Sequence, residues 1–185
     1  MMTCNIEEIF INNLNGIKAK EFMPFFLKYV KIKNAQFQQD NLWTQKMLFF
    51  IHWEYLKKNK KIFFQDEFEA WPYGPTLREI YRKQKTYYGW FYQDKIKDID
   101  FHLIKNADEL KDEFIKIFGS LNLNKWTSFE KTFKKFSKYF AFELVNISHE
   151  LDSWKKTFKP EEHSYYQANE NNKINNKLMI CDKEI

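Results

Sequence analysis

Between positions 42 and 59 the chain is apolar on nearly every side. Leu48, Ile51 and Tyr55 share one face, Met47, Phe50 and Trp53 sit half a turn away, and Gln45, Lys46 and Glu54 are the polar breaks. A helix wet on one side shows a single apolar stripe of roughly 100°. This segment shows more. The pattern therefore predicts a central, largely buried helix over 42–59, with Asp40 or Asn41 as N-cap and Asn59 closing it after Lys57 and Lys58. At ~1.5 Å per residue such a helix runs about 27 Å, enough to cross a small domain.

Shorter patterns surround it. Ile6, Ile9, Phe10 and Leu14 fit one face of a helix that Gly16 can stop. Phe22, Phe25, Phe26, Tyr29 and Val30 fit a second over 21–31, with Pro24 in its first turn, where proline is tolerated. Residues 33–39 read as a polar connector. Ile62, Phe63 and Phe64 form a run short enough for one extended strand. In 68–75, FEAWPYGP, Pro72 pushes Trp71 toward an extended shape and Pro75 does the same to Gly74. Pro75 also suits the first turn of a helix over 76–85, so the stretch is a rigid bend between helices.

Tyr87, Tyr88, Gly89 and Trp90 predict an aromatic turn, and 94–106 an exposed connector. A helix over 107–118 points Leu110, Phe114, Ile117 and Phe118 inward and ends at Gly119. Thr127 to Glu130 has capping-box spacing. The helix it starts carries Phe129, Phe133, Phe136 and Phe140 on one face and Lys131, Lys134, Lys135 and Lys138 on the other. A further helix over 141–149 offers Phe142, Leu144, Val145 and Ile147 for packing, and Pro160 ends the element at 152–159. From 161 the chain is polar and Asn-rich, with Leu178, Met179 and Ile180 able to dock back as a short helix. The expected fold class is mainly α: a compact helical domain around a central buried helix, with at most a short extended hairpin or strand near 61–71. Residues 1–160 read as one domain, of which 1–20 is a variable extension, and 161–185 as a polar tail.

Composition narrows the function classes. The 185 residues suit one domain with an ample core, and aromatics make up 19% of it. The net charge of +5 comes from lysine, since Arg78 and Arg82 are the two arginines. Base readout leans on arginine forks, so nucleic acid is disfavoured as a partner. Cys4 and Cys181 lie far apart in sequence, which suggests no disulfide framework and a cytoplasmic location. No apolar run approaches the ~18 residues that span a bilayer, and the first ten residues lack the charged-then-apolar plan of a signal peptide.

Catalytic patterns are missing. Gly16, Gly74, Gly89 and Gly119 are isolated, so there is no phosphate-cradling loop. His149-Glu150 begins like a metalloprotease helix, but the second histidine falls at Ser153. Ser148 and His149, adjacent on a helix, diverge and form no dyad. No metal, cofactor or enzymatic activity is expected. His52 reads as a hydrogen-bonded core histidine. Trp71, Tyr73 and Tyr81 either pack against the central helix or form, with Arg78 and Arg82, an aromatic-rimmed binding surface of the residue types that anchor interfaces. The lysine stripe is either a solvated face or a surface for an acidic partner.

Phe68-Glu69-Ala70-Trp71-x-Tyr73-Gly74-Pro75, followed by Ile80-Tyr81, resembles the signature of the Panacea domain of SocA-like antitoxins and phage-associated proteins. The family's preceding helix is similar to residues 43–50 with Tyr55 and Leu56, and its serine-histidine and tryptophan landmark is similar to Ser148, His149 and Trp154. The likeness runs over 22–158. It departs at Ile51, where the family has a small residue, and at Thr76, where it has valine. It implies that Leu48, Phe68, Glu69, Trp71, Tyr73, Gly74, Pro75, His149 and Trp154 build the fold. It also implies an antitoxin that neutralises a partner toxin by direct contact, and, as in SocA-like members, can hand it to an AAA+ protease as an adaptor. Segments for toxin recognition would then lie in 1–20 and beyond Pro160. The alternative is a nucleic-acid-binding or phage-associated regulator using the lysine-rich helix face.

Overall fold

The computed structural model describes residues 6–12, 14–35, 40–86, 99–162 and 169–185. Among these the chain is mainly α. Its elements are α1 (Ala19–Ile32), α2 (Asn41–Asn59), the hairpin strands β1 (Glu69–Trp71) and β2 (Gly74–Thr76), α3 (Arg78–Thr86), α4 (Ala107–Phe118), α5 (Leu123–Phe136), α6 (Ala141–His149), α7 (Asp152–Thr157) and α8 (Asn176–Cys181).

α2 is the axis. Asp40 caps it by accepting the Trp43 N–H at 2.5 Å, and it ends at Asn59 as expected, with Lys60 at φ +54° as its left-handed C-cap. α5, α6, α8 and β2 pack around it. Trp43, Met47, Leu48, Phe49, Phe50, Ile51, Trp53 and Leu56 are fully buried. So are Gln45 and Lys46, which the sequence pattern counts as breaks toward solvent. A helix enclosed on all sides has no wet face to give them.

The core is built from interlocked rings. Phe22 meets Phe63, Phe114 and Phe129 edge-on at 5.1 to 6.2 Å, and Phe50 stacks on Phe136 at 4.3 Å. Each such pair adds roughly 0.5–1.5 kcal/mol beyond area burial. His52 is the expected core histidine. Its Nδ1 accepts the Phe64 N–H and its Nε2 faces Asn176 Oδ1 at 3.0 Å.

Several expectations fail for identifiable reasons. Among the described residues, the N-terminal pattern makes a single 3-10 turn at Ile6–Glu8 and no longer helix. Asn12 and Ile17 instead pair in parallel with Lys61 and Phe64, leaving Phe10 and Leu14 exposed. α1 starts at Ala19, so Pro24 lies inside the helix and not in its first turn. Ile117 of α4 faces outward. α5 begins at Leu123, so Thr127 is internal and its hydroxyl donates to the Leu123 carbonyl, forming no capping box. α5 also stops at Phe136, which removes Phe140 from its apolar face. The turn expected at 87–90, and residues 91–98, lie outside the described residues.

The C-terminal segment is tied in. Asp182 accepts from Trp53 Nε1, Ser153 N and Ser153 Oγ at 2.6 to 2.9 Å. Lys57 Nζ donates to the Asp182 carbonyl. Ile174 N donates to the Phe68 carbonyl at 2.7 Å. α8 lies beside the Ile6–Glu8 turn, and Cys181 is disulfide-bonded, the chain's other cysteine being Cys4. The expectation that two cysteines far apart in sequence form no disulfide framework is corrected at Cys181.

Candidate functional site

The bend at 68–75 is an antiparallel hairpin with Glu69 opposite Thr76 and Trp71 opposite Gly74, leaving Pro72 and Tyr73 as its two-residue tip. Gly74 has φ +85°, a region that side chains other than glycine's strain to enter. A Cβ there would lie 2.4 Å from Ser148 Oγ on α6, so the hairpin is pressed against that helix. Two residues of α2 hold its far strand. Lys46 Nζ donates to the Pro75 carbonyl at 2.5 Å, and Gln45 Oε1 accepts the Leu77 N–H at 2.8 Å. Burial drives the Lys46 amine well below its ordinary pKa.

Glu69 organises the opposite side. Its carboxylate accepts Trp71 Nε1 at 2.9 Å, Arg78 Nε at 2.8 Å and Arg78 Nη2 at 2.5 Å. The Arg78 guanidinium also stands 5.0 Å from the Trp71 ring centre, and the Tyr81 ring is 4.9 Å from it. Trp154 Nε1 donates to the Trp71 carbonyl at 3.0 Å. Its indole is sandwiched between His149 at 3.8 Å and Phe158 at 4.9 Å. Burial, and then the Lys46 charge, hold the His149 pKa below the usual histidine value, against a hydrogen bond that the ring donates to the Pro72 carbonyl. His149 Nε2 is buried without a partner. Ser148 Oγ donates to the Val145 carbonyl at 2.8 Å. Serine and histidine here fasten separate things.

The five residues nominated as a binding surface do not stand together. Trp71 is 3% exposed and Arg78 is enclosed by its pair with Glu69. Tyr81 is half-buried against Trp71, and Arg82 is exposed one turn further along α3. Tyr73 alone of the three rings is open, at 55%. Its ring neighbour is one that the sequence pattern offered for packing. Phe142 meets the Tyr73 ring edge-on at 6.3 Å, and both Phe140 and Phe142 are 64% exposed. Phe140 continues the four-residue spacing of α5 past the point where that helix stops, and only the stop turns it outward. α6 then begins there, with Glu143 accepting the Phe140 N–H at 2.7 Å.

Leu48 and Phe68 are core, with Phe68 against Phe49 at 5.4 Å. Thus the segment from α2 through the hairpin to α7 is one braced unit, and it coincides with a match to a known family. Residues 44–155 match the family model for the SocA-like antitoxins, the Panacea domain. The chain belongs to this family. No curated protein and no solved structure matches it. The Panacea match takes in the hairpin and its clamps and leaves α1 and α8 outside. An antitoxin-type role follows from that membership. Among the described residues, no helix is long and apolar enough to cross a membrane.

Proposed function

We propose that this Panacea domain neutralises a partner toxin by direct contact through the aromatic pair at the hairpin tip, Tyr73 with Phe142. The observation that carries the reading is the contrast within the hairpin. Its inner residues are fully engaged, yet its tip presents a tyrosine beside an exposed phenylalanine that a solitary domain gains nothing by exposing. Large rings held rigidly and half in water are the anchors that protein interfaces use. The family supplies the class of partner, a protein toxin. The domain acts by binding, not by making or breaking bonds, and delivery of the bound toxin to an AAA+ protease is the further step this family role suggests.

Coexpression tests the proposal. The chain is expressed with the product of the adjacent open reading frame, which is expected to be toxic alone and harmless with this chain. Tyr73→Ala and Phe142→Ala should each lose rescue and complex formation while the domain still folds. A complex that forms undiminished with both rings removed would overturn the assignment of the surface.

A further inference from the structure

α2 and α5 run antiparallel: Trp43 reaches Tyr139, Phe50 stacks on Phe136, and Tyr55 faces Lys125. Their seam opens into a cleft of about 360 Å3. Every side chain lining it is polar, although two helices packed together normally turn apolar residues to each other. Ser128, Lys131 and Lys135 recur at three- and four-residue spacing on α5, so they project from one face, and Glu54 and Lys58 do the same on α2.

The cleft is rich in donors and poor in acceptors. Its one acid, Glu54, is neutralised by Lys135 at 2.7 Å. Lys58 and Lys131 have no ion-pair partner among the described residues. Thr132, 3% exposed, lies in the cleft, and its hydroxyl makes no hydrogen bond to any described residue. Half-buried Ser128 likewise keeps an unpaired hydroxyl. Neither hydroxyl is sealed from solvent, so both are free to turn toward an acceptor that enters the cleft.

We propose that this cleft binds a small, multiply charged phosphate compound that carries no aromatic base. Lysines act as point charges for phosphate, and hydroxyls add directed hydrogen bonds to its several oxygens. The cleft has no arginine, whose fork suits planar carboxylates, and no ring on which a nucleobase could stack. Its volume falls at the small end of the roughly 300–1,000 Å3 typical of ligand sites. The hairpin tip plays no part in it, so the inference stands apart from the antitoxin reading.

Titration calorimetry of the full chain with pyrophosphate tests it, with citrate and a thymidine oligonucleotide as comparators. Pyrophosphate should bind saturably at one site. Lys58→Gln and Lys131→Gln should each weaken it by about tenfold. Thr132→Val should weaken it by about fivefold while leaving the melting temperature unchanged or raised, because the lost hydroxyl has no internal partner. Lys138→Gln, just past the end of α5 and outside the cleft, should bind as wild type. No saturation below about 1 mM, citrate or the oligonucleotide binding as tightly as pyrophosphate, or equal losses in Lys138→Gln and Lys131→Gln would each overturn the proposal.

Discussion

Trp71 and Tyr73 stand two residues apart in one turn and meet opposite ends. The Trp71 indole is closed off by Glu69, Arg78 and Tyr81, and its carbonyl is taken by Trp154. Tyr73 projects into solvent and touches Phe142. Strand alternation sends neighbouring side chains to opposite faces, but residues two apart share one. It is the two-residue tip, Pro72 and Tyr73, that breaks the alternation and turns one ring in and the other out. The difference teaches that aromatic residues in a single motif can divide between bracing and display, and that the division is set by what lies opposite each ring.

The comparison predicts that substitutions in the braced half move stability and those in the displayed half move binding. The largest effect is expected for Glu69→Ala, which removes the carboxylate that Arg78 and the Trp71 N–H share. Breaking one partner of an enclosed pair costs about 3–5 kcal/mol, read by chemical denaturation. Next is the pH response of His52, which holds the approach to the hairpin through Phe64 N and the Phe68 ring. Burial lowers its pKa from 6.5 to about 4. Below pH 6.5 the unfolded chain takes up a proton that the folded chain refuses until about 4, so stability falls as pH drops through that window. The full loss is about 3 kcal/mol, and His52→Gln should flatten the curve there.

Gly74→Ala follows, at about 2–3 kcal/mol, because the new methyl meets Ser148 Oγ and the backbone stays at positive φ. A stability unchanged in this variant, measured by thermal unfolding, would mean that the hairpin is not clamped on α6. The smallest stability effects belong to Tyr73→Ala and Phe142→Ala, within about 0.5 kcal/mol, although each should weaken a toxin complex by about 2 kcal/mol in a binding titration. A large loss of stability from either would erase the distinction between the two halves.

The sequence was most legible where many residues repeated one message. The enclosing of α2 followed from an apolar surface too wide for a single stripe, and the bend from Pro72, Gly74 and Pro75 in close order, although the second of the paired strands, Gly74–Thr76, lies beyond 61–71, and Pro75 sits in that strand and not in a helix's first turn. It was least legible where a single residue's surroundings decided. Lys46 and Gln45 look like solvent-facing breaks, but a helix covered on all sides buries them, and the backbone groups of Pro75 and Leu77 give them partners. Phe140 reads as the fourth ring of an apolar stripe, but α5 ends one turn too soon. Asp182 sits in a polar stretch, and nothing local announces that Trp53 and Ser153 will hold it.

Periodicity and turn chemistry are local, so the chain by itself determined the helices, the central rod, the place of the elbow and, through its three landmarks, the family. Packing is not local. Which rings face water, which polar groups become internal clamps, and that the seam of α2 and α5 opens into a cleft lined by lysines and hydroxyls were decided only when distant segments met, because exposure belongs to a pair of surfaces and not to either sequence alone.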